Sequence, residues 1–156
     1  MKKFLSIVFL GLIITSNSMS YEEANYKVVK KNNIYEIRKY SDRLVIETSI
    51  SNEGSSFRKL FNYISGNNDK NEEIKMTTPV TQMQKKGNMT MQFYLPSRFN
   101  KENIPSPSNP DVKILNIKGG YYAAIIYSGR TSDKNFIKHK SILENELKKD
   151  DISILS

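Results

Sequence analysis

The side chains that most often carry chemistry are scarce in this chain. It contains one histidine, His139, and no cysteine. This composition excludes Cys-His nucleophilic arrangements and most metal sites built from His and Cys ligands. Glu22-Glu23 and Glu72-Glu73 are adjacent carboxylate pairs whose side chains should point apart. Glu36 and Glu47 lie in predicted strands, where we expect solvated positions. The sequence therefore predicts no catalytic constellation.

Four apolar residues recur at the spacing of one helix face, namely Phe57, Leu60, Phe61 and Ile64. Gly54–Ser56 precedes them and offers a helix cap, and Gly66 predicts the helix end. The stripe has two interpretations, and both stay open at this point. It is either the core face of an amphipathic helix, or a helix face whose phenylalanines contact a bound ligand.

The composition limits the size and the partners of the protein. A chain of 156 residues with 38% hydrophobic content can build one core. The 24 Lys and Arg residues exceed the 16 Asp and Glu residues, for a net charge of +8, but they are scattered in ones and twos. A nucleic-acid-binding surface requires a clustered basic stripe. We therefore expect a solvated basic surface and no nucleic-acid partner.

The first twenty residues have the pattern of a signal peptide. Lys2-Lys3 is a short positive region, Phe4–Ile14 is an apolar run, and Thr15–Ser20 supplies small residues for cleavage. The run is shorter than the roughly 20 apolar residues that a membrane span needs. We predict that residues 1–20 are removed, with a retained N-terminal anchor as the alternative. The domain of residues 21–156 would then be periplasmic or secreted, with no stable membrane span.

The remainder of the chain repeats the order strand, strand, helix. The predicted strands of the two halves are Tyr35–Tyr40 with Leu44–Ile50, and Val112–Ile117 with Tyr121–Tyr127. Their alternation or apolar content is typical of strands. We predict turns at Ser41-Asp42 and Gly119-Gly120, so that the strands of each half pair with each other. A second helix, capped at Thr131–Asp133, follows the second pair.

Two more predicted strands lie between the halves. The first is Ile74–Met83, in which Thr78 must be extended because Pro79 follows it. The second is Met89–Leu95, with alternating faces. The whole pattern predicts an α+β fold: an antiparallel sheet curled into a distorted β-barrel, with one helix packed against it in each half.

Five segments of the chain resemble, in order, the SOUL haem-binding protein family from about Tyr26 onward. They are Tyr35–Tyr40, the helix-to-strand passage Phe57–Thr81 with its Met-Thr-Thr-Pro-Val motif, Phe93–Pro96, Ile104–Pro107, and Tyr122–Ala124 with Ser128-Gly129. The resemblance implies a distorted barrel with two helices, related to the effector-binding domains of drug-responsive transcription regulators. It also implies non-covalent binding of haem or another tetrapyrrole as cofactor.

The resemblance further implies a ligand cleft along the first helix. Its apolar contacts fall on Phe57, Leu60 and Phe61. Basic positions of the family fall on Asn62 and Gly54, and we predict that the neighbouring cations compensate. These cations are Arg58 and Lys59. His139, as the one histidine, is the candidate axial iron ligand, although a surface position between lysines is expected for it.

Family members usually continue past the second helix into further strands. This sequence ends at Ser156, so the resemblance implies a C-terminally short domain with an unpaired edge strand. A second copy or another partner could pair with that edge.

The sequence thus predicts an exported SOUL-like module that binds a small, flat, hydrophobic ligand. The alternatives are a hydrolase or lyase on the same fold, and an interaction module that pairs through the open edge.

Overall fold

The computed structural model describes residues 21–85, 88–130 and 132–155 of the chain. The predicted signal peptide, residues 1–20, lies outside this described part. The described strands are β1 (Glu22–Glu23), β2 (Tyr26–Lys31), β3 (Glu36–Tyr40), β4 (Arg43–Ser49), β5 (Thr77–Thr78), β6 (Val80–Lys85), β7 (Asn88–Tyr94), β8 (Lys113–Ile117) and β9 (Gly120–Ala124). The described helices are α1 (Glu53–Ile64) and α2 (Asp133–Lys149). The mixed α+β class with two helices is confirmed.

Most of the described strands belong to two antiparallel sheets. One has the order β2-β3-β9 and the other has the order β6-β7-β4-β8. β1 and β5 form a short parallel pair. Each antiparallel sheet ends in two edge strands, so the described strands do not close into the predicted distorted barrel.

The strands of each predicted half pair with the other half. β3 pairs with β9, and β4 pairs with β8, both antiparallel. The consecutive strands β3 and β4 thus run along β9 and β8 as one bent ladder, which passes from the three-stranded sheet into the four-stranded sheet. The predicted strand, strand, helix order is confirmed in both halves. The predicted pairing within each half is wrong.

The bend in this ladder, which we call the corner, lies at Ser41-Asp42 in one strand and Lys118-Gly119 in the other. Oδ1 of Asp42 accepts a hydrogen bond from the Gly119 N–H at 2.8 Å. A Cβ atom on Gly119 would lie 2.6 Å from the carbonyl oxygen of Tyr40, so glycine is required by the close approach of the two backbones. The corner takes the place of the predicted hairpin turns.

α1 begins and ends through local hydrogen bonds. The Asn52 side chain accepts a hydrogen bond from the Ser55 N–H at 3.1 Å and is the N-cap, so the cap lies just before the predicted Gly54–Ser56 segment. Gly66 follows the helix with a φ of 104°, as its predicted role in ending the helix requires.

The passage that follows α1 is organised by the buried side chain of Asn68. Its Nδ2 donates to the carbonyl oxygens of Tyr63 at 3.1 Å and Glu72 at 2.8 Å. Its Oδ1 accepts from the N–H groups of Lys70 at 3.2 Å and Glu72 at 3.0 Å. One side chain thereby replaces the hydrogen bonds that a regular element would supply.

The main core lies between α1 and the four-stranded sheet. Its buried members are Ile46, Leu60, Tyr63, Ile64, Ile74, Met91, Phe93, Leu95, Phe99 and Val112. β4 and β7 contribute alternate side chains to this face, as the period of a strand requires. This core therefore fixes the position of α1 on the sheet.

α2 is attached mainly at its C-terminal end. Ser132 is its N-cap, as the predicted cap segment implies, and Leu147 is its buried residue in the described structure. Just beyond the helix, the Asp150 carboxylate accepts hydrogen bonds from the Tyr35 hydroxyl and from Lys30 Nζ, the latter at 2.8 Å. These contacts tie the helix end to β2 and to the residue before β3.

Three strand predictions differ from the structure. The predicted strand Ile74–Met83 is divided into β5 and β6 at Pro79, which has no N–H to donate to a ladder. The predicted strand Tyr121–Tyr127 ends at Ala124. β2 was not predicted, because a register shift between Val28 and Lys30 breaks its alternation.

Candidate functional site

Two phenylalanines of α1 point toward solvent. Phe57 is 38% exposed and Phe61 is 45% exposed. Their ring centroids lie 6.1 Å apart and their planes differ by 14°. Phe57 also makes an edge contact with the buried ring of Phe93 in β7, at 5.1 Å between centroids. The pair therefore presents two nearly parallel aromatic rings at the surface.

The buried face of α1 is rotated relative to the predicted stripe. Leu60 is fully buried, and Ser56 and Tyr63 are buried beside it. The Tyr63 hydroxyl donates to the Pro105 carbonyl oxygen at 2.7 Å, and burial raises the pKa of this phenol, so it stays protonated. Tyr63, which the apolar pattern did not include, is thus buried in the core, whereas Phe61 is exposed.

Apolar side chains of the four-stranded sheet share the face on which α1 packs. Val80 of β6 pairs with Phe93 in the ladder, so their side chains share the sheet face on which α1 packs. Met89 lies on the same face, because it is four residues before Phe93 in the same strand. Val80 is 38% exposed and Met89 is 40% exposed. We call the surface formed by Phe57, Phe61, Val80, Met89 and Phe93 the α1 cleft.

The two predicted cations of α1 have different surroundings. Lys59 Nζ forms an ion pair with Asp111 Oδ2 at 2.7 Å. This contact lowers the pKa of the Asp111 carboxyl. Arg58 is exposed and has no ion pair within the described residues. It lies three residues before Phe61, so the two side chains are neighbours on the helix surface. Of the two cations, Arg58 is free to meet a ligand carboxylate.

His139 lies on α2, away from the sheet face that carries α1. Its Nδ1 is 2.9 Å from the carbonyl oxygen of Asn135, to which it donates a hydrogen bond. Its ring stacks on Tyr127, with centroids 4.1 Å apart. The predicted axial ligand and the predicted apolar contacts therefore belong to different helices.

The two strand carboxylates are partnered rather than solvated. Glu36 forms ion pairs with Lys31 and Arg38, each at 2.8 Å, and these cations lower its pKa. Glu47 accepts a hydrogen bond from Gln92 Nε2 at 2.6 Å. The expectation of outward, solvated positions is wrong, because both side chains have polar partners on neighbouring residues or strands.

A cavity of about 390 Å³ lies at the end of the four-stranded sheet. None of the predicted ligand residues of α1 lines it, whereas Arg43 and Tyr94 do. The sequence did not identify these two residues, because their proximity depends on the pairing of β4 with β7, which are distant in sequence. The cavity and the α1 cleft are separate features.

In residues 21–85, 88–130 and 132–155, no three His, Cys, Asp or Glu side chains converge as a metal site. Neither helix of this part of the chain has the length and apolar content to cross a bilayer.

Comparison with known proteins identifies the family. Residues 21–155 match the family described as SOUL heme-binding protein. The human protein named Heme-binding protein 2 is 34% identical over 93 residues, which cover 51% of this chain and 45% of the human protein. The matched segment thus spans less than half the length of that relative. Because the family match extends over most of the chain, this chain belongs to the SOUL heme-binding protein family.

Proposed function

We propose that this chain binds haem or another tetrapyrrole, non-covalently and face-on, in the α1 cleft. The observation that carries the proposal is the pair of exposed, nearly parallel rings of Phe57 and Phe61. Exposed aromatic faces beside apolar side chains mark binding surfaces for flat molecules. Family membership and the name of the human relative support haem as the ligand class.

Each residue of the cleft has a distinct part in this proposal. Phe57 and Phe61 contact the face of the macrocycle, and Leu60 supports them from the core. Arg58 pairs with a carboxylate at the edge of the ligand. Lys59 contributes little, because Asp111 already balances its charge at 2.7 Å.

The expected affinity is modest. Covering a fully exposed Phe is worth about 1.5–3 kcal/mol, and each ring is already more than half buried. A micromolar complex needs about 8 kcal/mol, before the cost of immobilising the ligand. Val80 and Met89 must therefore add to the contact area. The bound macrocycle supplies the chromophore, while the residues of the chain only bind and orient it.

The test is a haem titration of the purified protein, followed by the Soret band. We expect a shift that saturates at about one equivalent. The double variant Phe57→Ala, Phe61→Ala should weaken binding by roughly tenfold or more, because it removes the exposed ring area. Its melting temperature should fall less than that of a variant that removes a fully buried ring, because both rings are partly solvated.

Phe136→Ala is the matched control, because Phe136 is 57% exposed on α2 and lies outside the cleft. It should leave the titration unchanged. A change in the Soret band that does not saturate would indicate surface adsorption and contradict the proposal. Equal effects of the double variant and of Phe136→Ala on haem binding would also contradict it. His139→Ala should also leave the Soret band of the haem complex unchanged. Loss of the Soret shift in this variant would identify His139, on α2, as the axial ligand.

We propose also that the protein acts outside the cytoplasm. The charged start, the apolar run Phe4–Ile14 and the small residues up to Ser20 support export. The test is fractionation of cells that express the full sequence, with N-terminal sequencing of the product. A mature N-terminus near Tyr21 in the extracytoplasmic fraction supports export, and an intact Met1 in the cytoplasm contradicts it.

A further inference from the structure

The guanidinium of Arg43 is surrounded by tyrosine rings. It lies 4.0 Å from the ring centroid of Tyr40 and 5.2 Å from those of Tyr94 and Tyr122. These four residues belong to four strands, β3, β4, β7 and β9, so the cluster forms only when the two sheets meet. Cation–π contacts of this kind stabilise the positive charge. The rings do not, however, accept hydrogen bonds from the guanidinium N–H groups, which lie in the plane of the guanidinium.

Arg43 lacks an acceptor within the described residues. It forms no ion pair and no hydrogen bond there, and its buried Nε has no partner. Arg38 and Arg98 also lie over aromatic rings, but each has a carboxylate, Glu36 at 2.8 Å and Glu72 at 2.9 Å. A buried N–H without an acceptor is costly, and nearly all such groups in proteins are satisfied.

The cavity at the end of the four-stranded sheet adjoins this cation. Its volume of about 390 Å³ is in the range of small-molecule sites. Its wall contains the apolar side chains Leu44, Leu95 and Phe99 as well as Arg43 and Tyr94. A ligand in this cavity would therefore contact aromatic and apolar side chains. It would also contact a guanidinium that lacks a hydrogen-bond acceptor.

The other charged groups of the wall limit the charge of such a ligand. Asp42 and Glu22 line the cavity, but they already accept hydrogen bonds from Gly119 and Ser97. Glu23 lines it as well, and Lys101 is the second cation. With three carboxylates near two cations, a multiply charged anion is disfavoured, whereas one carboxylate matches the bidentate geometry of Arg43.

We propose that this cavity binds a small aromatic monocarboxylate, with its carboxylate on the Arg43 guanidinium and its ring against the aromatic wall. The site is independent of the α1 cleft and of haem. The domain would then bind a second ligand, which is smaller than a tetrapyrrole.

Benzoate is the probe, and calorimetric titration of the full mature chain is the measurement. Saturable binding is expected, with benzamide, benzylamine and inorganic phosphate each at least about tenfold weaker, because only benzoate combines a ring with one negative charge. Absence of saturable benzoate binding, or equal binding of benzamide or phosphate, would overturn the proposal. This comparison uses the unmodified protein and does not depend on a variant that folds.

Variants locate the site. Arg43→Met should abolish benzoate binding, and Arg43→Lys should retain a part of it. Arg98→Met is the matched control, since Arg98 also lies over an aromatic ring, at 4.3 Å from the Phe99 centroid, but has its own carboxylate. Equal losses in Arg43→Met and Arg98→Met would contradict the assignment. The double variant Phe57→Ala, Phe61→Ala should bind benzoate normally, which separates this site from the proposed haem function.

Discussion

At the scale of single residues, Arg58 and Lys59 offer a comparison between neighbouring cations on one helix. Both follow Phe57, but within the described part of the chain only Lys59 has an ion pair, with Asp111 at 2.7 Å. Arg58→Gln should weaken haem binding by up to about fivefold at low salt, because an exposed pair is worth at most about 1 kcal/mol. The Soret titration should show a smaller effect at high salt.

Lys59→Gln is the control for this prediction. It removes the same charge from the same helix, so a general electrostatic effect of the basic surface would appear in both variants. Equal weakening by the two substitutions would show that Arg58 makes no specific contact with the ligand.

Asp42 predicts a dependence of stability on pH. Hydrogen bonds from the Gly119 N–H, Lys118 and Asn116 lower the pKa of its carboxyl from the ordinary 3.8 to about 2. Folding thus favours the charged form, so its stabilisation is complete above the unfolded pKa and is lost as the pH falls through the folded pKa. Urea unfolding between pH 6 and pH 2 (roughly the range that spans both values) should show Asp42→Asn losing less stability in acid than the wild type.

Lys118→Met provides the intermediate case. It removes one donor to Asp42 and leaves the Gly119 N–H, the largest cause of the lowered pKa. Its loss of stability in acid should lie between those of the wild type and Asp42→Asn. If all three proteins show the same slope, Asp42 does not contribute to the acid sensitivity of the fold.

At the scale of elements, the passage from α1 to the next strands depends on Asn68. Its side chain makes four hydrogen bonds with Tyr63, Lys70 and Glu72, and it is 3% exposed. Asn68→Ala should destabilise the protein by about 2–4 kcal/mol, because it leaves several backbone groups of the passage unpaired. Urea unfolding monitored by circular dichroism measures this cost.

Asn67→Ala is the control, because the neighbouring side chain is exposed. It should change the free energy of unfolding by less than about 0.5 kcal/mol. Comparable losses in the two variants would mean that the passage needs an asparagine pair rather than the hydrogen bonds of Asn68.

The elements show which sequence signals predict structure. α1 and α2 were predicted because their caps, apolar spacing and the stop at Gly66 are local features. The strand pairings were not predicted correctly, because no residue near Ser41-Asp42 or Gly119 distinguishes a hairpin turn from a corner at which a strand passes between two sheets. The rotation of α1 follows from Tyr63, whose hydroxyl reaches Pro105 from a position that apolar periodicity does not count as core.

In the candidate site, too, local sequence signals predicted only a part of what the structure contains. Phe57 and Phe61 were found from spacing and resemblance, but their exposure depends on which face of α1 meets β4 and β7. Arg43 was missed, because two of its three tyrosine neighbours, Tyr94 and Tyr122, come from strands that are distant in sequence. No single segment carries a signal for a cluster built by four strands.

At the scale of the whole molecule, the two helices are attached unequally. α1 covers the main core, whereas α2 buries Leu147 and is tied at its end through Asp150. Regions with few buried apolar side chains open at lower free energy than the core. Native-state hydrogen exchange should therefore give the amides of α2 a smaller opening free energy than those of α1 and β7.

Leu147→Ala tests this difference. A buried Leu→Ala change costs about 2–5 kcal/mol, and the loss should lower the protection of α2 while β4 and β7 keep theirs. Phe136→Ala, at an exposed position of the same helix, should leave all three elements unchanged. A uniform fall in protection across the molecule would show that α2 and the core unfold as one unit.

The corner also constrains how the length of this protein can vary. Two backbones face each other there so closely that a Cβ on Gly119 would lie 2.6 Å from the Tyr40 oxygen. A residue inserted into one strand at the corner would shift the register of all following residues of that strand by one position relative to the facing strand. Insertions and deletions at residues 41–42 should therefore be tolerated only with a compensating change at residues 118–119, so the two halves of the gene are expected to change length together.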